Sequence, residues 1–172
     1  MKNDIREKYK LVHKNILDKE KKDSRIYQRL INDQMVLSAD TILIYVSNKE
    51  EVDTIEFIKY FLHSKKIAVP KIEGNEINFY YINTFEDLLP GKFHTLEPRT
   101  NNMVKDFSNA VCITPGICFD LNKNRIGYGS GYYDRFFAKH NVYKIGLCYS
   151  DCFLASIPCE DHDVKVDQII ID

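Results

Sequence analysis

Apolar side chains recur along this chain with a helical period up to about residue 40 and with strand-like runs after it. Ile5, Tyr9, Val12 and Ile16 stand four and three apart, which predicts an amphipathic helix over about residues 3–20. Lys2, Arg6, Lys10 and Lys14 fall four apart on another face of that helix as one basic stripe, and a solvated face is the ordinary reading of such a stripe. Asp23 or Ser24 can cap a second helix running through Gln34, with Ile26, Leu30 and Ile31 turned inward. Thr41 to Val46 is continuous and β-branched, the pattern of a strand buried on both faces of a parallel sheet. Asp53 and Glu56 have capping-box spacing and open a helix carrying Ile55, Ile58, Phe61 and Leu62 inward. With a second strand at Lys66 to Val69, residues 41–70 read as a βαβ unit.

Residues 77–82 predict another strand after the Glu73-Gly74-Asn75 turn, their aromatics serving either as core or as a wall for a planar ligand. Leu89-Pro90-Gly91 reads as a turn, Glu97-Pro98 as the end of an extended stretch, and residues 101–109 as a polar surface connection. Ala110 to Thr114 is a short buried strand stopped by Pro115-Gly116. A helix from Gly131 should bury Tyr133, Phe136 and Phe137, and strands follow at Tyr143 to Tyr149 and Asp167 to Ile171. No repeat or low-complexity linker interrupts this order. The expected fold is a single-domain three-layer α/β/α sandwich with a mostly parallel sheet.

Composition narrows the picture. A chain of 172 residues, 44% apolar and 28% charged, fits one globular domain. Its formal net charge of −1 argues against a dedicated nucleic-acid binder, and no run of ~18 apolar residues suggests a membrane span. The polar N-terminus makes the cytoplasm the expected location. Five cysteines without a C-x-x-C pair fit reduced thiols, and Cys148, Cys152, Cys159 and His162 lack the spacing of usual zinc ligands.

The stretch from Pro115 to Phe137, PGICFDLNKNRIGYGSGYYDRFF, carries the most pointed chemistry. Gly127, Gly129 and Gly131 alternate just before a helix, so the backbone can take positive φ and gather N–H groups on one point. With the dipole of the following helix behind it, such a nest favours a phosphate. A plain glycine connection between strand and helix matches the same residues. So does a dinucleotide loop with Asp151 about 20 residues on, although Tyr132 takes the place of the third glycine.

The longer string PGICFDLNKNRIGYGSGYYDR resembles the signature of the 5-formyltetrahydrofolate cyclo-ligase, or methenyltetrahydrofolate synthetase, family. In order along the chain, Lys2-Asn3-Asp4-Ile5-Arg6, YVSNKEEVDT from Tyr45 to Thr54, Phe93 to Pro98, and Ile157-Pro158 with His162-Asp163 are similar to further family segments. The resemblance implies an enzyme that uses ATP and Mg²⁺ to cyclise 5-formyltetrahydrofolate, with or without a polyglutamate tail, to 5,10-methenyltetrahydrofolate through a phosphorylated formyl group. It implies Lys2, Arg6, Lys10, Arg125, Gly127, Tyr128, Gly129, Ser130, Gly131, Tyr132 and Tyr133 around ATP. It further implies Val46, Glu51 and Tyr132 at the folate, Arg125 and Tyr132 in catalysis, and Asp134 and Asp163 on the metal. A monomer without nucleic-acid or membrane partners is expected, and a folate- or nucleotide-sensing module without turnover is the alternative. Two positions depart from the pattern: Tyr128 stands where the family commonly has arginine, and Cys152 where it often has glutamine. On charge alone, arginine restored at 128 should raise turnover or tighten ATP.

Overall fold

The computed structural model describes residues 1–172. The chain opens with helices α1 (Lys2–Lys14), α2 (Lys19–Ile31) and α3 (Gln34–Ser38). It continues through β1 (Thr41–Ile44), α4 (Ile55–Phe61), β2 (Lys66–Glu73), β3 (Glu76–Ile82), β4 (Leu88–Pro90) and β5 (Leu96–Pro98). The second half adds β6 (Ala110–Thr114), β7 (Cys118–Asp120), β8 (Arg125–Ile126), α5 (Tyr132–Lys139), β9 (Tyr143–Cys148), β10 (Phe153–Leu154) and β11 (Gln168–Ile171).

Six strands form the central sheet in the order β11-β9-β6-β1-β2-β3. All neighbours are parallel except β2 with β3, which are joined by the tight Gly74 turn. On one face Ile42, Ile44, Ile67, Val111, Ile113 and Leu147 belong to one core with Ile26 and Leu30 of α2 and Phe57, Ile58 and Phe61 of α4. Ile5, Tyr9, Val12 and Ile16 pack against that core from α1 and the turn after it. On the other face Leu43, Ala68, Cys112 and Phe79 share a second core with Phe136 and Phe137 of α5. Two cores with one sheet between them make the three layers, and explain why β1 is buried at every position. A small sheet, β10-β7-β8, joins the first core. Its Phe119 ring lies so close to Gly116 and Gly146 that a Cβ on either would come within 2.6 and 2.4 Å of it.

Several local expectations are corrected by long-range contacts. The first helix stops at Lys14, Asp18 turns left-handed at φ 53°, and α2 starts afresh at Lys19. Asp23 caps nothing at the start of α2. It lies inside that helix, and its carboxylate accepts the Tyr149 hydroxyl (2.6 Å), the Asp53 N–H (3.1 Å) and the Lys19 ammonium (2.7 Å). α2 ends at Ile31, and Asp33 caps the separate α3 by accepting the N–H groups of Met35 and Val36. The Asp53–Glu56 box does not form, because Thr54 takes the cap position and donates its hydroxyl to Tyr45 O at 2.7 Å. Leu89 and Pro90 belong to β4, which pairs with β5 as a ribbon. Residues 101–109 are more than a surface connection: Tyr81 N–H and Val104 N–H bond to Asn102 O and Phe79 O, Met103 bridges Tyr80, and Val104 is buried. Tyr133 is half-buried, edge-on to Phe79 at 6.4 Å.

Candidate active site

A cleft of about 820 Å³ opens beyond the carboxyl ends of β1 and β6, where α/β sheets place their ligands. Tyr45 and Val46 enter it directly after β1, and Pro115 directly after β6. The glycine loop with the first turn of α5, the N-terminus of α1, the β2–β3 hairpin, the β4–β5 ribbon and residues Glu160 to Asp163 complete the walls. Of the residues singled out from sequence, Lys2, Arg6, Val46, Glu51, Arg125, Gly127, Tyr128, Gly129, Ser130, Gly131, Tyr132, Tyr133, Asp134 and Asp163 all line this one cleft. Lys10 does not; its ammonium pairs with Glu7 one turn back, 2.9 Å away.

Gly129 and Gly131 have φ of +108° and +68°, values that cost an L side chain strain. Gly127 has no positive φ. Space demands glycine there instead, since a Cβ would meet Arg125 Nη1 at 2.7 Å. None of the backbone N–H groups from Tyr128 to Asp134 donates to another backbone acceptor, and α5 has no side-chain cap. That leaves a cluster of free donors at a positive helix end, the physical basis of an anion site. Arg6 clasps the loop by donating Nε–H to Gly127 O at 2.9 Å. Arg125 is buried beneath it, with Nη1 on Pro115 O and Nη2 on Asp134 Oδ1, both at 3.2 Å. Its buried Nε–H has no acceptor in the protein. A buried guanidinium held at both ends with a donor to spare suits the floor of a site for negative charge.

A second wall is the loop after β1. Its neck is closed by Ser47 and Thr54, which exchange two hydrogen bonds of 3.0 Å. Inside it Asn48 Oδ1 accepts the N–H groups of Glu50 and Glu51, while the Glu51 carboxylate accepts the Asn48 N–H at 2.9 Å. Burial pushes the Glu51 carboxyl up from its ordinary value, partly offset by that N–H, by the Tyr128 hydroxyl and by His13. Tyr128, in the glycine loop, thus lines the same cleft as Glu51 and bears on its carboxyl.

At the third side, Lys2 bonds Asp163 and lies 3.6 Å from Glu160. The donor atoms of Glu160, His162 and Asp163 lie within 4.8 Å of one another. Two carboxylates converging on an ammonium offer the hard oxygen set that Mg²⁺ shares with phosphates, so these residues fit such an ion. Asp134 lines the same cleft, its Oδ1 occupied by Arg125 and by the Val164 N–H at 3.0 Å. The thiols of Cys148 and Cys152 are buried while Cys159 and His162 are exposed, so no zinc set assembles. Cys152 is in the core rather than the cleft, and Asp151 pairs with Lys22 away from the glycine loop, which removes the dinucleotide reading.

Sequence reasoning passed over His13, Asn48 and Glu160. Of these, His13 left a signal, a polar ring next to Val12 at the edge of an apolar helix face.

Fold and cleft together define an α/β protein in which a glycine-rich loop of free N–H donors and the half-buried Glu51 carboxylate line one site. The 5-formyltetrahydrofolate cyclo-ligase family pattern matches residues 1–172, and the chain belongs to that family. It is 33% identical over 166 residues to the 5-formyltetrahydrofolate cyclo-ligase of Saccharomyces cerevisiae, across 79% of this chain and 78% of the yeast protein. To the Mus musculus 5-formyltetrahydrofolate cyclo-ligase it is 26% identical over 172 residues, covering 87% and 85% of the two chains. The NMR structure of Aquifex aeolicus 5,10-methenyltetrahydrofolate synthetase superimposes with a TM-score of 0.89 at 28% identity, over 99% of this chain and 89% of that one.

Proposed function

We propose that the cleft cyclises 5-formyltetrahydrofolate to 5,10-methenyltetrahydrofolate with ATP, releasing ADP and phosphate. The observation that carries this reading is that Glu51 and the free N–H cluster line one cleft in a chain of this family. Glu51 accepts the paired N–H donors of the 2-amino-4-oxo pyrimidine edge, with Val46 and Tyr132 beside the ring. The N–H groups of Gly129 to Tyr132 take the phosphates, and Arg125 and Arg6 meet their charge from below and from the side.

The formyl oxygen attacks the γ-phosphorus and ADP leaves, giving an imidate phosphate on N5. N10 then attacks the formyl carbon, loses its proton, and phosphate departs with the former formyl oxygen. Holding the two substrates in line supplies most of the rate in such a transfer, together with neutralisation of phosphate charge. Bound Mg²⁺ would add to that neutralisation, with Asp163 and Asp134 as the proposed ligands and Glu160 beside them. For Lys2 to reach the phosphates it must leave Asp163. Tyr133 supports the loop from behind, Ser130 and Tyr128 flank it, and Lys10 acts at most from outside the cleft.

The test is phosphate release from ATP. Release that requires 5-formyltetrahydrofolate is expected; equal release with and without folate, or binding of both ligands with no release, would favour a hydrolase or a sensor instead.

A further inference from the structure

His13 is the buried residue of α1, and its ring touches both walls of the cleft from behind without lining it. Nδ1 lies 3.0 Å from Glu50 O and Nε2 lies 2.8 Å from Ile117 O. The Tyr149 ring packs against the imidazole at 5.6 Å between centroids. Glu50 immediately precedes Glu51. Ile117 ends the turn whose Pro115 carbonyl anchors Arg125. One imidazole thus spans from the backbone of the carboxylate wall to the backbone of the anion wall. The same helix, two turns earlier, holds the glycine loop through Arg6. Other bonds hold the Glu51 loop as well: Tyr45 O–H to Val52 O at 3.0 Å, Asp53 N–H to Asp23, and the Tyr149 hydroxyl, shared between Asp23 at 2.6 Å and Glu51 O at 3.2 Å.

We propose that His13 is a positioning residue that keeps the folate wall and the nucleotide wall in register, a role that rests on the cyclo-ligase reading of those walls. It acts through Glu51 and Arg125 and contacts no reacting atom. Carbonyl oxygens only accept, so the two contacts are hydrogen bonds together only when both ring nitrogens carry an N–H, as in the imidazolium; a neutral ring donates to one carbonyl alone. The two contacts can be separated chemically. An asparagine amide nitrogen falls near the Nδ1 position and a glutamine amide nitrogen near the Nε2 position, so each variant keeps one bond and loses the other.

His13→Asn should hold the folate KM near the parent's while raising the ATP KM about fivefold, the scale of one lost hydrogen bond. His13→Gln should do the reverse, raising the folate KM about fivefold and sparing ATP. Hydrogen exchange on the folded proteins gives a second readout that needs no turnover. Amides around Glu51 to Asp53 should exchange faster only in His13→Gln, and those around Ile117 and Cys118 only in His13→Asn. A general packing role would move both KM values and both segments together in each variant, and that outcome, or no change in either, overturns the proposal. If one variant does not fold, the other decides alone, because each has a one-sided expectation. A parent that releases no folate-dependent phosphate would sink the cyclo-ligase reading, and the exchange pattern would still judge His13.

Discussion

Tyr128 shows how a side chain's neighbours revise what its type suggests. Considered alone, its replacement of an arginine looks like a lost positive charge beside the phosphates. The fold instead sets Tyr128 in one cleft with Glu51, where its hydroxyl helps to draw the carboxyl back down against the effect of burial. An arginine at 128 would pair with Glu51 and compete with the pyrimidine edge, so Tyr128→Arg is expected to raise the folate KM without improving the response to ATP. Tyr128→Phe should raise the folate KM about tenfold, the low end of the scale for one hydrogen bond to a charged group, and leave the ATP KM unchanged. Steady-state kinetics of both variants check this, and a tighter ATP response in Tyr128→Arg would restore the missing-charge view. Gly127 teaches the same point. The alternating glycines announced a loop with unusual backbone, but only Gly129 and Gly131 take positive φ; Gly127 is glycine because Arg125 lies against it. Nothing in the local string distinguishes these two reasons.

At the scale of elements, strands and the βαβ unit were legible because buried parallel strands are near-continuous apolar runs and helices repeat every three to four residues. Boundaries were not, since the bonds that set them come from far along the chain. Asp23 was spent on Tyr149 and Asp53, so α2 could not begin there. The FD pair of the central motif is likewise structural: Phe119 wedges between two glycines, and Asp120 fastens the small sheet. Fully buried, Asp120 accepts N–H groups from Asn122, Asn124 and Ile157 and the Asn124 amide, each at 2.9 Å. Burial opposes its charge, but these donors outweigh the penalty and hold the carboxyl below its ordinary value. The stability it contributes is present above the ~3.9 of an unfolded aspartate and is lost as pH falls through the lower folded value. Asp120→Asn should therefore cost about 1–3 kcal/mol at neutral pH and flatten the acid limb of the stability curve. Urea melts across pH read this directly, and an unchanged midpoint at neutral pH would contradict it.

The whole molecule brings chain segments from residue 2 to residue 163 around one cleft, and their order in sequence gives no hint of which faces which. Family likeness pointed to most of the residues that line the cleft, but the sharing of that cleft by Glu51 and the glycine loop, the Lys2–Asp163 contact and the His13 bridge are properties of the folded chain alone. That shared cleft underlies the central claim, that ATP phosphorylates the formyl oxygen of a folate held at Glu51. Folate labelled with ¹⁸O in the formyl group tests the claim most directly, by mass analysis of the phosphate released in water of natural isotope content. The account predicts one ¹⁸O atom in each phosphate released with methenyl-folate formation. Methenyl-folate formed alongside unlabelled phosphate would contradict it, because the formyl oxygen would then have left by another route.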